Sequence, residues 1–246
     1  MESELIQAEQ RLEDEYWWFV GRRVILDRLL AHFVPRSAVA VDVGCGSGRN
    51  MQVLARHAEH VIGLDRSPAA AALAAVRGLQ VMRGDAHRLP LASSSADLLT
   101  ALDVLEHMDD DIRVLAEFHR VLRPGGRLLL AVPAYRFLWS EHDEALAHRR
   151  RYIASELHIK LTNAGFEVQK RSYAVFFAFL PIVIYRLFRG LFPKNPLAPK
   201  ASHVMLPAPL NTFFTELLSL EGRLMRVMNF PLGTSIVMVA RKIPRD

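Results

Sequence analysis

An apolar run from Ala38 to Val43, "AVAVDV", stops at three glycines spaced two apart, Gly44, Gly46 and Gly48. A short run of this kind reads as a buried strand, and a glycine cluster reads as its sharp exit. Glycine takes backbone conformations closed to other residues and leaves room for a ligand against the main chain. The segment "NMQVLARHA" that follows suits a helix, whose first amide groups would be free to bind. A dinucleotide fingerprint asks for a third small residue at position 49, and Arg49 stands there. A pyrophosphate ligand therefore fits this loop poorly.

The pattern repeats along the chain. Apolar runs at 60–65, 79–85, 96–104, 127–133, 166–173 and 234–242 predict six further strands. Helices are predicted between them: one opened by Ser67 as N-cap with Pro68 behind it, one over 108–122, and one over 154–165 closed by Gly165. This alternation predicts an α/β fold with a doubly wound, largely parallel sheet covered on both faces. Residues 1–34 read as a helical lid. Residues 35–173 and 233–246 read as the core, and 174–232 as a helical, hydrophobic insertion between strands six and seven, all within one domain spanning 1–246. Some sixty residues in that gap are too many for a hairpin loop.

Asp65 ends the second strand, 21 residues after Gly44. A carboxylate there can accept the hydroxyls of a ribose, or simply head the next helix. Asp85 ends the third strand and Asp103 lies near the end of the fourth. Three acids along one sheet edge suit a ligand with cationic groups better than a diphosphate.

These pieces, "VDVGCGSG", "VIGLDRSP", "GDAHRLPLASSSADLLTALDVLEHMDD" and "LRPGGRLLLAVP", resemble the class I S-adenosylmethionine-dependent methyltransferases, in particular the type 11 small-molecule group. The resemblance covers residues 38–133 in order and spacing. It implies a seven-stranded Rossmann-like methyltransferase sheet and S-adenosylmethionine as cofactor. Gly44, Cys45 and Gly46 would meet its methionyl part, and Asp42 would orient that loop and the cofactor's amino group. Asp65 would hold the ribose, with Leu64 or Arg66 flanking the adenine and Asp85 and Ala86 at its edge. Asp103 and Val104 would face the methionine end.

Methyl transfer from a sulfonium asks the protein to position the acceptor and to exclude water. An alcohol or phenol also needs a base. His107 in "LEHMDD" is the first candidate, with His142 and His148 as alternatives; each could equally be a hydrogen-bonded structural histidine. No Cys/His cluster has zinc spacing, so no metal is expected. The Asn/Asp-Pro-Pro-aromatic tetrad of nucleobase amine methylation is missing, and no nucleic-acid partner is expected. Cys45 is the single cysteine, which excludes an intrachain disulfide. The acidic N-terminus shows no secretory pattern, so a cytoplasmic protein is expected.

The flanks suggest the acceptor. "SEHDEALAHRRRY" follows the fifth strand, and its Arg149 and Arg150, with Tyr152, are candidates to grip an anion; a solvated, salt-bridged helix is the competing reading. Trp17, Trp18 and Arg22 in "YWWFVGRR" are candidates to cover it. Residues 149–200 hold ten Lys or Arg against two Glu, and 172–185 are uncharged. Apolar surface beside Arg186, Arg189 and Lys194 suits a lipid-linked acceptor or a peripheral membrane surface, or else internal packing or a homodimer contact. The expected function is methyl transfer to a small or amphipathic acceptor at oxygen or nitrogen; a catalytically idle binding or scaffold protein is the alternative.

Overall fold

The structure, a computed structural model, describes residues 12–188 and 206–244. Arg189, Lys194 and Lys200 of the basic block and residues 1–11 of the expected N-terminal lid lie outside the described residues. Seven strands form one sheet in the order β3-β2-β1-β4-β5-β7-β6. They are β1 Ser37–Val43, β2 Ala58–Asp65, β3 Val81–Arg83, β4 Ala96–Leu102, β5 Leu122–Pro133, β6 Phe166–Ala174 and β7 Ser235–Lys242. β1 to β5 run parallel, and β7 lies antiparallel between β5 and β6. The strand order reverses between β1 and β4, so their carboxyl ends frame the crevice in which open α/β sheets bind ligands.

Eight α-helices are described: α1 Trp17–Phe33, α2 Arg49–Leu54, α3 Pro68–Val76, α4 Asp111–Val121, α5 Glu141–Ala145, α6 Ala154–Asn163, α7 Phe176–Phe188 and α8 Ala208–Leu224. Side chains alternate across a strand, and β5 shows the consequence. Leu128 and Leu130 enter a core with Val114, Phe118 and Leu161 of α4 and α6. Leu129 and Ala131 enter the opposite core with Leu29, Leu54 and Leu218 of α1, α2 and α8.

Several boundaries differ from the sequence reading. β3 is three residues long, and β5 begins at Leu122, so Pro124 and Gly125 lie in the strand rather than behind a helix. α4 starts at Asp111, where Asp110 accepts a hydrogen bond from the Arg113 amide at 3.0 Å. That cap is worth about 1 kcal/mol and outweighs the apolar Met108 as a starting point.

The insertion is tied to the N-terminal helix. Gly21 of α1 stands where a Cβ would lie 2.3 Å from Leu218 Cδ1, and Gly222 where one would lie 3.1 Å from Arg28 Cδ. Small residues on both helices let α1 and α8 approach closely. Asn211 of α8 accepts the Trp17 amide at 2.9 Å and donates to the Glu15 carbonyl at 2.7 Å. Trp17 is buried and packs on Phe214, with ring centroids 5.1 Å apart. Glu221 of α8 is fully buried and accepts the amides of Val175 and Phe176, which head α7. Among the described residues no helix is long and apolar enough to cross a membrane. α7 leaves Leu180, Ile184 and Phe188 exposed.

Burial pushes the Glu221 carboxyl up to about 7, against the pull of the amides it accepts. A raised folded value means the native state holds a proton that the unfolded chain releases near its ordinary value, so this group's contribution to stability is lost as pH rises from about 4.5 through 7. Glu221→Gln should flatten that slope in urea unfolding followed from pH 4.5 to 8. Glu221→Ala should cost about 1.5–3 kcal/mol at pH 7, the range for hydrogen bonds to charged groups.

Candidate active site

The turn out of β1 is a left-handed passage, with φ of +70° at Gly44, +52° at Gly46 and +83° at Gly48. The Leu64 carbonyl accepts both the Gly44 and the Cys45 amides, at 2.7 and 3.1 Å. Asp65 holds the turn from the neighbouring strand. Its Oδ2 accepts the Gly46 amide at 3.0 Å and its Oδ1 the Ser67 amide at 2.8 Å. Each oxygen keeps a further lone pair for a ligand hydroxyl. Ser67 occupies the N-cap of α3, as expected, but its side chain makes no capping bond. A Cβ at Gly46 would meet nothing within 4 Å, so the loop has open space over it. Cys45 packs under the loop, and burial, with the charges of Asp42 and Asp65 adding to it, pushes its thiol up to about 12. It is an inert packing residue.

Two cavities meet at this loop. A polar cleft of about 500 Å³ runs along the carboxyl ends of β1 to β4. Gly44, Asp65 and Arg66 line it, as do Asp85, Ala86, Asp103 and Val104, so seven of the ten expected cofactor residues share one wall system. Asp85 Oδ1 accepts the His87 amide and faces its ring Nδ1, both at 2.9 Å, and these bonds hold the carboxyl below its ordinary range. His107 and Arg149 close the far end.

The second cavity, about 220 Å³, lies beneath α1. Ile25, Leu26 and Leu29 face Leu129, Val175 and Val237 across it, and Arg22, Arg23 and Arg49 also line it. Cys45 and Gly46 line this cavity and not the cleft. Gly44 and Asp103 line both. Asp103 directly follows β4, carries φ +56°, and pairs with Arg22 of α1. Burial lowers the Arg22 pKa and the Asp103 charge raises it, with the net direction up. A non-glycine residue held in this region marks a strained, over-determined position of the kind that clusters at functional sites.

Asp42 lines neither cavity. It is buried in β1, with Oδ1 accepting the Thr100 hydroxyl at 2.6 Å and Oδ2 unpartnered. Burial pushes its carboxyl up to about 7, opposed by the Thr100 bond and aided by the Asp65 charge. An orphaned buried carboxylate oxygen beneath an open glycine cradle fits a ligand that brings an ammonium group.

Sequence reasoning missed the contact between residues 12–15 and the loop. Glu13 accepts the Ser47 hydroxyl at 2.6 and 2.7 Å and pairs with Arg77 at 3.2 Å, while Asp14 pairs with Arg49. The acidic N-terminus and these arginines are visible in the sequence, but nothing local couples them.

The stretch 140–152 corrects several expectations. Tyr152 is wholly buried, donating to Asp111 at 2.8 Å, and cannot contact an acceptor. Burial and that bond push its hydroxyl pKa up. Arg150 lines neither cavity: it donates to the Asp109 carbonyl at 2.9 Å and pairs with Asp111 at 3.3 Å. Arg149 reaches the cleft while bonded to the His107 carbonyl at 3.1 Å and paired with Asp109. His142 lines neither cavity, and His148 sits behind the wall with Nδ1 on Asp143 at 2.9 Å. The arginines neutralise acids of 109–143 rather than waiting for a ligand. Trp17 belongs to the α1–α8 contact, and Trp18 lies under the Arg22 guanidinium, 5.6 Å from its ring centroid; neither lines a cavity.

Gly44→Ala should destabilise the protein by about 1–2 kcal/mol from the left-handed backbone alone. Its Cβ would also lie 2.5 Å from Val104 Cγ2. A shift in the urea midpoint checks this, and Gly78→Ala, also at positive φ but with nothing within 4 Å of its Cβ, separates the backbone cost from the clash.

Residues 41–130 match the family described as Methyltransferase domain. A Mycolicibacterium smegmatis protein named as a probable S-adenosylmethionine-dependent methyltransferase is 34% identical over 162 residues, 64% of this chain and 62% of that protein. A trans-aconitate 2-methyltransferase of Deinococcus radiodurans is 36% identical over 152 residues, 60% of this chain and 57% of that protein. The chain thus spans about three fifths of the length of these curated relatives. A chain from the complex of the Haloferax volcanii Trm112 methyltransferase activator shares the fold, with a TM-score of 0.62 at 20% identity over 97% of this chain and 95% of that one. Residues 41–130 therefore carry a methyltransferase domain, on the fold that these proteins share.

Proposed function

We propose that the chain transfers a methyl group from S-adenosylmethionine to an oxygen or nitrogen of a small acceptor with an apolar body. The observation that carries this is the meeting of a polar cleft and an apolar cavity at Gly44 and Asp103, where the sheet order reverses. Asp65 and Asp85 would take the polar, hydroxyl-bearing end of the cofactor. Asp42, beneath the loop, would take its amino group. The bound cofactor supplies an electrophilic methyl on a sulfonium. The chain's part is then to bring an acceptor to the shared wall and to keep water out.

The cavity under α1 suits the acceptor. Its floor is aliphatic, and its volume of about 220 Å³ favours a small molecule over a long lipid chain. Arg22, Arg23 and Arg49 give it a basic lining. The trans-aconitate methyltransferase relative acts, by its name, on a polycarboxylate, and a carboxylate acceptor would suit guanidinium groups here as well. Segment 12–15, pinned to Ser47, Arg49 and Arg77, would serve as the lid.

Calorimetry with S-adenosylhomocysteine and with NAD tests the cofactor half. S-adenosylhomocysteine should bind and NAD should not. Asp65→Ala should weaken S-adenosylhomocysteine by roughly 10- to 150-fold, the equivalent of about 1.5–3 kcal/mol for charged hydrogen bonds. Tighter binding of NAD would overturn the reading. For the acceptor, melting shifts are measured with S-adenosylhomocysteine present, across small carboxylates, phenols and polyprenyl phosphates. Hits are then assayed for transfer of labelled methyl. Cofactor binding with no transfer to any stabilising compound would favour a binding protein.

A further inference from the structure

Behind the far wall of the polar cleft lies a cluster that the methyl-transfer reading leaves unused. Glu106 sits on a 3-10 turn, Leu105–His107, directly after β4. It is 0% exposed, and neither carboxylate oxygen has a hydrogen-bond partner. The guanidinium charges of Arg22 and Arg151 act on it without hydrogen-bonding it, and a buried carboxylate with no direct partner is costly. His107 and His148 lie beside it. One donor atom from each of the three groups lies within 4.8 Å of the other two, and the imidazoles meet edge to face with centroids 4.8 Å apart.

The orientation of His148 is set from behind. Its Nδ1 lies 2.9 Å from the buried carboxylate of Asp143, which also accepts from Arg151 Nε at 2.7 Å and from the Ser140 amide at 2.8 Å. Nδ1–H therefore donates to Asp143. Nε2 faces Glu106 Oε1 at 4.0 Å, too far for a hydrogen bond. A carboxylate behind a histidine with its other nitrogen turned to a second ligand is the usual outer support of a metal site.

We propose that Glu106, His107 and His148 bind one divalent transition-metal ion. Two imidazole nitrogens and one carboxylate oxygen suit zinc, manganese, iron or cobalt; magnesium and calcium prefer all-oxygen sets. With metal–ligand bonds of about 2.0–2.2 Å, donor atoms around one ion sit roughly 3.3–3.6 Å apart, so the cluster closes by about 1 Å on binding. His107, half-buried at the cleft wall and hydrogen-bonded to the Ala147 main chain, would have to supply that movement. Three protein ligands leave a coordination position open. If it opens past His107, it faces the cleft, and an acceptor hydroxyl bound there would lose its proton more easily. That use rests on the methyl-transfer reading, but the metal site does not.

The test uses the tag-free full chain, stripped with EDTA and desalted. Zinc and magnesium are titrated separately by calorimetry, bound zinc is counted by elemental analysis, and cobalt is added to read its visible absorption. The expected result is one zinc per chain, cobalt bands of an imidazole–carboxylate site, and magnesium at least 100-fold weaker. Glu106→Gln and His107→Ala should each weaken zinc at least 10-fold, and Asp143→Asn by 10- to 100-fold. If Glu106→Gln does not fold, His107→Ala decides, because its side chain is only half-buried. No stoichiometric zinc, or folded variants that bind it as the parent does, would overturn the proposal. S-adenosylhomocysteine is titrated alongside in EDTA. Its binding without zinc uptake sinks the metal site alone, and zinc uptake without it sinks the cofactor reading alone.

Discussion

The chain must leave β1 and enter α2 within five residues at the edge where the sheet order reverses, and only a left-handed turn does this. Gly44, Gly46 and Gly48 supply the conformation. Leu64 and Asp65, on the adjacent strand, hold it with one carbonyl and one carboxylate. Because Asp65 spends one lone pair of Oδ2 on the Gly46 amide and one of Oδ1 on Ser67, the loop and the head of α3 are fixed together. The cleft and the cavity under α1 both depend on that arrangement, since Gly44 lines each.

The outer layers repeat the same logic of opposed charges. Asp103 is met by Arg22 from α1, and Glu13 and Asp14 bridge back to Ser47, Arg77 and Arg49. α8 locks α1 through Asn211 and the close approach at Gly21, and it carries Glu221 to the head of α7. The insertion therefore braces the helix that roofs the apolar cavity, while α7 keeps an exposed apolar face. Of the uses open to the insertion, α8 takes internal packing, since its inner side is spent on α1.

Much of the sheet was legible because buried parallel strands are apolar runs and glycines punctuate them. The residues that line the cleft were legible for a related reason: they stand at or just past strand ends, which the pattern locates within a residue or two. The stretch 140–152 was not. Its arginines and Tyr152 look free in sequence because Asp109, Asp111 and the His107 carbonyl, their partners, lie some forty positions upstream. Asp143 and His148 are five apart, yet their pairing shows only once α5 has turned. The orphaned state of Glu106 was equally hidden, since burial of a charge inside "LEHMDD" contradicts its local polarity.

The central claim is that the cofactor's reactive end lies at the wall shared by Gly44 and Asp103, with its nucleoside along Asp65 and Asp85. A crystal structure of the full chain with S-adenosylhomocysteine tests it most directly. The account predicts the ribose hydroxyls on Asp65, the adenine beside Asp85 and Ala86, and the sulfur against Gly44 and Asp103, facing the cavity under α1. A sulfur atom turned away from that cavity, or a nucleoside bound without Asp65, would contradict it.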